Sequence, residues 1–191
     1  MTSKRILLIA FLLVALVQLA IPVKMIWDRE EILDTGTLYK FRTAPVDPND
    51  PFRGKYIALT FRENTVEVND GEEWIDGEPI YLTLTTDSNG FAKIDFVSKE
   101  MPSGQPNVIR AKVRYVMDEK PRKVVIDYPF DRFYMEESKA LEAEILYRQL
   151  QADTNRVTYA LVSIKNGEAV LSDVQIDGTS IIERVNKQKE K

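Results

Sequence analysis

A mainly antiparallel β domain, built as a sandwich or open barrel with one amphipathic helix and hung on an N-terminal transmembrane helix, is the fold this sequence predicts. Three observations point to it. Residues 6–23 are apolar except for Gln18. Nine short segments rich in β-branched and aromatic residues follow, each bounded by Gly, Pro, Asn or Asp. Between them, only the stretch at about 136–152 carries apolar residues at helical spacing among Glu and Arg. Hydrophobic residues make up 44% and charged residues 29% of the 191, which fits a folded domain and excludes both a disordered polymer and a multi-span membrane protein.

The N-terminal segment reads ILLIAFLLVALVQLAIPV from Ile6 to Val23. As a helix it would span about 27 Å, against roughly 30 Å for a bilayer core. Lys24 can snorkel to the headgroups, and Met25, Ile26 and interfacial Trp27 extend the run, so the anchor is placed at 6–27. A cleaved signal peptide also opens with a basic pair and an apolar stretch. Ala10, Ala15 and Ala20 form no A-x-A pair, however, and the anchor reading is preferred. Lys4 and Arg5 assign residues 1–5 to the cytoplasm and the C-terminal domain to the periplasm or exterior, as a single-pass protein of the cell membrane. Residues 28–36, DREEILDTG, form a polar connector or a short helical continuation closed by Gly36.

The domain is placed at 37–191, with strands at Leu38–Thr43, Lys55–Arg62, Pro79–Thr86, Phe91–Ser98, Val108–Met117, Arg122–Tyr128, Thr158–Lys165, Ala169–Ile176 and Ile181–Val185. Asp87-Ser88-Asn89-Gly90 and Lys165-Asn166-Gly167-Glu168 are hairpin signals, because Asn-Gly accepts the positive φ of a tight turn. Asp118-Glu119-Lys120-Pro121 is a looser third. In the helix, Leu141, Ile145, Leu146 and Leu150 make the apolar stripe and Ser138 is a candidate cap.

Composition narrows the chemistry. With no Cys and no His, the chain has no disulfide, no thiolate or imidazole metal ligand and no imidazole base, and no cofactor or metal is expected. Net charge is −4 and two cations, Lys4 and Arg5, belong to the anchor, so the domain is mildly acidic and nucleic acid is not an expected partner. Asp87-Ser88-Asn89-Gly90 lacks the downstream acid of a calcium loop and reads as a turn. Tyr128, Phe130, Phe133 and Tyr134 surround Pro129 and can line a groove or pack the helix onto a sheet.

One segment is specialised. Pro45, Pro48 and Pro51 stiffen the approach to Gly54, and Ile57, Leu59 and Phe61 then share one face of a strand while Tyr56, Ala58 and Thr60 share the other. Asp47, Asp50, Arg53 and Lys55 cluster around the turn. They can pin a Pro-rich turn, form a recognition loop with Gly54 and Tyr56, or, less simply, supply two carboxylates for acid–base work. Two adjacent bases keep both carboxylates ionised, which weighs against the last reading.

Gly54-Lys55-Tyr56-Ile57-Ala58-Leu59-Thr60-Phe61, led in by Asp47-Pro48-Asn49-Asp50-Pro51-Phe52-Arg53, resembles the signature of the GDYXXLXY family of membrane-anchored bacterial proteins. Arg132-Phe133-Tyr134-Met135-Glu136-Glu137 resembles that family's second block. Lys55 stands where the family has Asp, and Phe61 where it has its last Tyr. The resemblance implies a single-span envelope protein, often encoded beside a multi-spanning membrane protein, and supplies no activity. The expectation is a non-enzymatic binding or assembly role with an integral-membrane partner. The alternative is an extracytoplasmic enzyme using Asp47, Asp50 and Glu136 as general acid and base.

Overall fold

A computed structural model describes residues 2–44, 56–117, 119–151, 153 and 155–189. In chain order the elements are α1 (Thr2–Thr35), β1 (Thr37–Ala44), β2 (Tyr56–Ala58), β3 (Thr60–Phe61), β4 (Thr65–Glu67), β5 (Pro79–Thr86), β6 (Ala92–Ser98), β7 (Val108–Met117), β8 (Lys123–Asp127), β9 (Arg132–Tyr134), α2 (Glu137–Gln151), β10 (Thr158–Lys165), β11 (Glu168–Ile176), β12 (Thr179–Ser180) and α3 (Ile181–Lys189). One five-stranded sheet runs β12-β11-β10-β1-β3, a second runs β4-β8-β7-β5-β6, and β2 pairs with β9 as a ribbon. The strand pairings are antiparallel.

The two large sheets curl into a nearly closed barrel. One seam is a parallel bridge between Ile109 and Gly167. Near the other, Arg42 of β1 reaches the β5–β6 turn, 4.2 Å from the Phe91 ring centre and 3.7 Å from Asp87. Asp87 accepts the amides of Asn89 and Phe91, so this segment is a capped turn, as its sequence predicts. At the β10–β11 turn Asn166 and Gly167 hold φ of 52° and 85°, the left-handed pair an Asn-Gly hairpin needs.

Inward side chains alternate with outward ones along β7, where Val108, Ile109, Ala111 and Val113 are buried while Arg110, Lys112 and Arg114 face out. At the centre, Phe41, Phe61, Tyr128 and Phe130 pack edge-on or tilted with ring centres 5.1–5.7 Å apart. Such pairs contribute about 0.5–1.5 kcal/mol each beyond their buried area.

The expected strand Lys55–Arg62 is divided. Tyr56–Ala58 pairs with β9, whereas Thr60 and Phe61 pair with Ala44 and Thr43 of β1. Leu59, at the switch, donates its amide to the Asp131 carbonyl at 2.8 Å. Its predicted inward face is nonetheless correct, since Ile57, Leu59 and Phe61 are all buried. The motif therefore turns a corner between sheets, a property that alternation alone does not encode.

Beyond α1, two helices stand among the described residues where one was expected. Ile181–Val185, read as a strand from its β-branched residues, begins α3 instead. Asp177 and Gly178 turn the chain at φ of 51° and 78°, Ser180 Oγ accepts the Ile182 amide, and Ile181 and Val185 are buried one helical turn apart. A four-residue repeat seen once is too short to outweigh β propensity in the sequence.

Helix α2 stands where expected but turns a different face inward. Ala140, Ala143, Glu144 and Tyr147 are buried, Leu146 and Leu150 pack partly, and Leu141 and Ile145 are 57% and 48% exposed. Small alanines let its backbone approach β2 and α3 closely. The helix starts at Glu137, so Ser138 lies within its first turn and is not the cap; the Glu136 carbonyl accepts the amides of Lys139 and Ala140. At its other end, Gln151 donates to Tyr147 Oη and to the Ala44 carbonyl, each at 2.8 Å.

Helix α1 is long and apolar enough to cross a membrane, by length and composition, and its apolar window is not buried against the domain. It fits a single-pass anchor. It runs without interruption through residues 28–35, and its last two turns lie on β10 and β11. Ile32 is buried there, Lys165 Nζ binds Glu31 at 2.6 Å and Thr35 Oγ1 at 2.8 Å, and Arg29 lies 3.5 Å from Glu168. Gly36 closes the helix by donating to the Ile32 carbonyl; a Cβ there would collide with that same oxygen.

Candidate functional site

The outward face of the motif leads to a cationic groove. In the β2–β9 ribbon Tyr56 faces Tyr134, Ile57 faces Phe133 and Ala58 faces Arg132. Because side chains alternate, Ile57 and Phe133 enter the core while Arg132 and Tyr134 stand outside with half-buried Tyr56. The Tyr56 and Tyr134 rings are 5.4 Å apart, and the Arg132 guanidinium lies 5.1 Å from the Tyr56 ring centre. A hydrogen bond to Tyr134, and then Asp131 beside it, raise the pKa of Arg132 further above its already high value.

Arg132 and Tyr134 form one wall of a cavity of about 480 Å³. The other walls are Arg29 from α1, Arg110 from β7, Pro129 and Phe130 before β9, and Gly167–Leu171 of the β10–β11 hairpin. Arg110 is fixed at its backbone, where its amide donates to the Gly167 carbonyl at 2.8 Å. A second cavity of about 430 Å³ shares Arg110, Pro129 and Arg132 and continues along Lys112 and Asp127. Asp127 there is paired with Arg114 at 2.8 Å.

Among the described residues, three arginines from three distant parts of the chain thus line one cavity with one carboxylate, Glu168. Guanidiniums present planar pairs of donors suited to carboxylate or phosphate oxygens, so the arrangement has the chemistry to hold an anion. Among its described lining residues there is no nucleophile with a base beside it. Among the described residues, no three His, Cys, Asp or Glu side chains come together as a metal site.

Of the residues singled out from the sequence, Asp47, Asp50, Arg53, Gly54 and Lys55 lie outside the described residues. Tyr56 lies beneath Arg132 as the ring on which that guanidinium stacks. Glu136 is just before α2, 68% exposed and 2.7 Å from Lys139 Nζ, and it is not among the residues that line the groove. The aromatic quartet around Pro129 divides: Tyr128, Phe130 and Phe133 are buried, while Tyr134 lines the groove. Arg29 and Arg110 were not singled out. The Arg110-x-Lys112-x-Arg114 alternation was a visible sign of a basic outer face, but nothing in sequence brings β7 to the end of α1.

No curated protein and no solved structure matches the chain. The family model for the GDYXXLXY protein matches residues 18–174, from within α1 into β11, and the chain belongs to the GDYXXLXY family.

Proposed function

We propose that this is a membrane-anchored envelope protein with a non-enzymatic binding or assembly role, whose partner is a multi-spanning integral membrane protein. The observation that carries the reading is the join between α1 and the β domain. Ile32 burial and the Lys165–Glu31 and Arg29–Glu168 contacts hold the domain in one orientation on its anchor. A fixed orientation serves docking against a neighbour in the same membrane, whereas a flexible tether suffices for acting on soluble molecules. Lys4 and Arg5 favour a cytoplasmic N-terminus, which carries the domain to the periplasm or exterior. The segment with Asp47, Asp50, Arg53, Gly54 and Lys55, leading into Tyr56, is the recognition loop in this reading.

The test is site-specific photocrosslinking in intact cells from Gln18 in the anchor and from Lys55 in the loop. Both positions should capture the same multi-spanning protein, and Lys55→Asp should reduce capture from the loop while leaving capture from Gln18 in place. Crosslinks only to lipid, or to unrelated proteins at the two positions, would refute the assembly role.

A further inference from the structure

The level of the arginine groove along α1 is fixed by helix geometry. Arg29 follows Trp27 by two residues, about 3 Å of axial rise, and Trp side chains favour the headgroup level of a bilayer. Arg29 meets Glu168 at 3.5 Å and the Ala169 carbonyl at 3.3 Å, so the wall of the cavity stands at that same level. With α1 as the anchor, a reading on which this inference rests, the groove lies beside the phosphates of the leaflet that α1 leaves.

We propose that the groove between Arg29, Arg110 and Arg132 holds the phosphate of an anionic phospholipid headgroup. Its chemistry fits. Among the described lining residues the three arginines face one carboxylate, and that carboxylate, Glu168, is 62% exposed and only loosely paired. Asp131 is only a distant partner, 3.8 Å from Arg132 Nε, and the hydrogen bond to Tyr134 leaves the Arg132 charge itself uncompensated. Tyr134 adds a hydroxyl at the rim, and half-buried Val170 and Leu171 give an apolar surface for the glycerol end. A water molecule occupies about 30 Å³ in the liquid, so a cavity of about 480 Å³ takes a hydrated headgroup. The free acids of α1 do not oppose it: at 3.6 residues per turn, Glu30 and Asp34 point roughly 100° and 140° away from Arg29. Glu31 is already neutralised by Lys165. Selectivity for an anionic lipid follows because a zwitterionic headgroup would bring its own cation against three guanidiniums.

The experiment uses the full chain in detergent micelles, with native mass spectrometry of retained phosphatidylglycerol and phosphatidylcholine. Wild type should retain phosphatidylglycerol in preference. Arg110→Gln, which leaves the Arg132–Tyr56 stack intact, and Arg110→Gln with Arg132→Gln should weaken that retention stepwise, reaching about tenfold in the double variant. Arg110→Lys should recover part of it. Equal retention of the two lipids by wild type, or full retention by the double variant, would overturn the site. Displacement of the lipid by millimolar inorganic phosphate would show a free-phosphate site and overturn the lipid assignment. So would variants that keep lipid but lose a co-isolated acidic protein segment. Carbonate washing of cell membranes separates the two readings: release of the protein overturns the anchor and this proposal with it, whereas a retained protein without lipid preference overturns the groove alone.

Discussion

The Arg132 guanidinium rests 5.1 Å from the centre of the Tyr56 ring, joining the motif strand to the block at 132–137 through a cation–π contact. Tyr134 completes the stack at 5.4 Å from the same ring. Tyr56→Ala should therefore lower stability by about 1–2 kcal/mol, and Tyr56→Phe by less than about 0.5 kcal/mol, in urea unfolding. A loss for Phe equal to that for Ala would mean that the hydroxyl, not the ring, matters.

The clamp between α1 and the hairpin should separate orientation from stability. Its ion pairs are partly exposed, so Lys165→Ala and Arg29→Ala should each change unfolding free energy by less than about 1 kcal/mol. Distance distributions between spin labels at Trp27 and Ser172 should nevertheless broaden in the double variant. Gly36→Ala should behave oppositely, costing about 1–3 kcal/mol because its methyl meets the Ile32 carbonyl and crowds the Ile164 backbone.

Helix α2 offers a direct comparison of faces. Ala143→Leu should cost about 1–3 kcal/mol by overfilling the interface with β2 and α3. Leu141→Lys and Ile145→Lys, at exposed positions, should stay within about 0.5 kcal/mol by thermal or chemical unfolding.

Acid should weaken the C-terminal corner. Asp177 accepts the Val157 amide at 3.0 Å and an Arg156 guanidinium at 2.8 Å, with Arg184 at 4.0 Å, and the backbone bond foremost holds its pKa below the usual value. A depressed carboxylate stabilises the fold above its unfolded pKa, near 4, and that contribution is lost as pH falls through the folded value. Asp177→Asn keeps a side chain that tolerates positive φ and removes the charge. Unfolding curves from pH 6 to pH 2.5 should fall less steeply for the variant.

Alkali acts through tyrosine. Burial pushes the Tyr147 hydroxyl up to about 12. Its stabilising effect is complete below the unfolded value near 10 and fades as pH rises from there toward 12. Tyr147→Phe should flatten stability over that interval while leaving a residual slope from Tyr128, which burial raises as well.

The readable parts of the fold are those governed by short-range rules. Pro79–Thr86, Val108–Met117 and Thr158–Lys165 carry alternation, β-branched residues and clear turn signals, and each has the expected bounds. Local rules failed where a partner decides the outcome. Thr65–Glu67 and Arg132–Tyr134 are three residues long and become strands through β8 and β2. Ala140 and Ala143 outrank Leu141 and Ile145 because close approach, not side-chain size, sets that interface. For the site, Tyr56 and the block at 132–134 were legible as motif, while Arg29 and Arg110 reach the groove only through the pairing of distant strands.

The pairing of β1 with β10 also sets an order of events during biosynthesis. Thr37 to Arg42 find their neighbours at Ile164 to Tyr159, more than a hundred residues later. At about 5–20 residues per second, ribosomes need several seconds to supply the missing strand. Throughout that interval the apolar helix α1 is complete, yet the strand joined to it lacks its principal partner. A chain that ends before β10 therefore keeps an open β1 edge, available to proteases and to strand exchange with sibling chains.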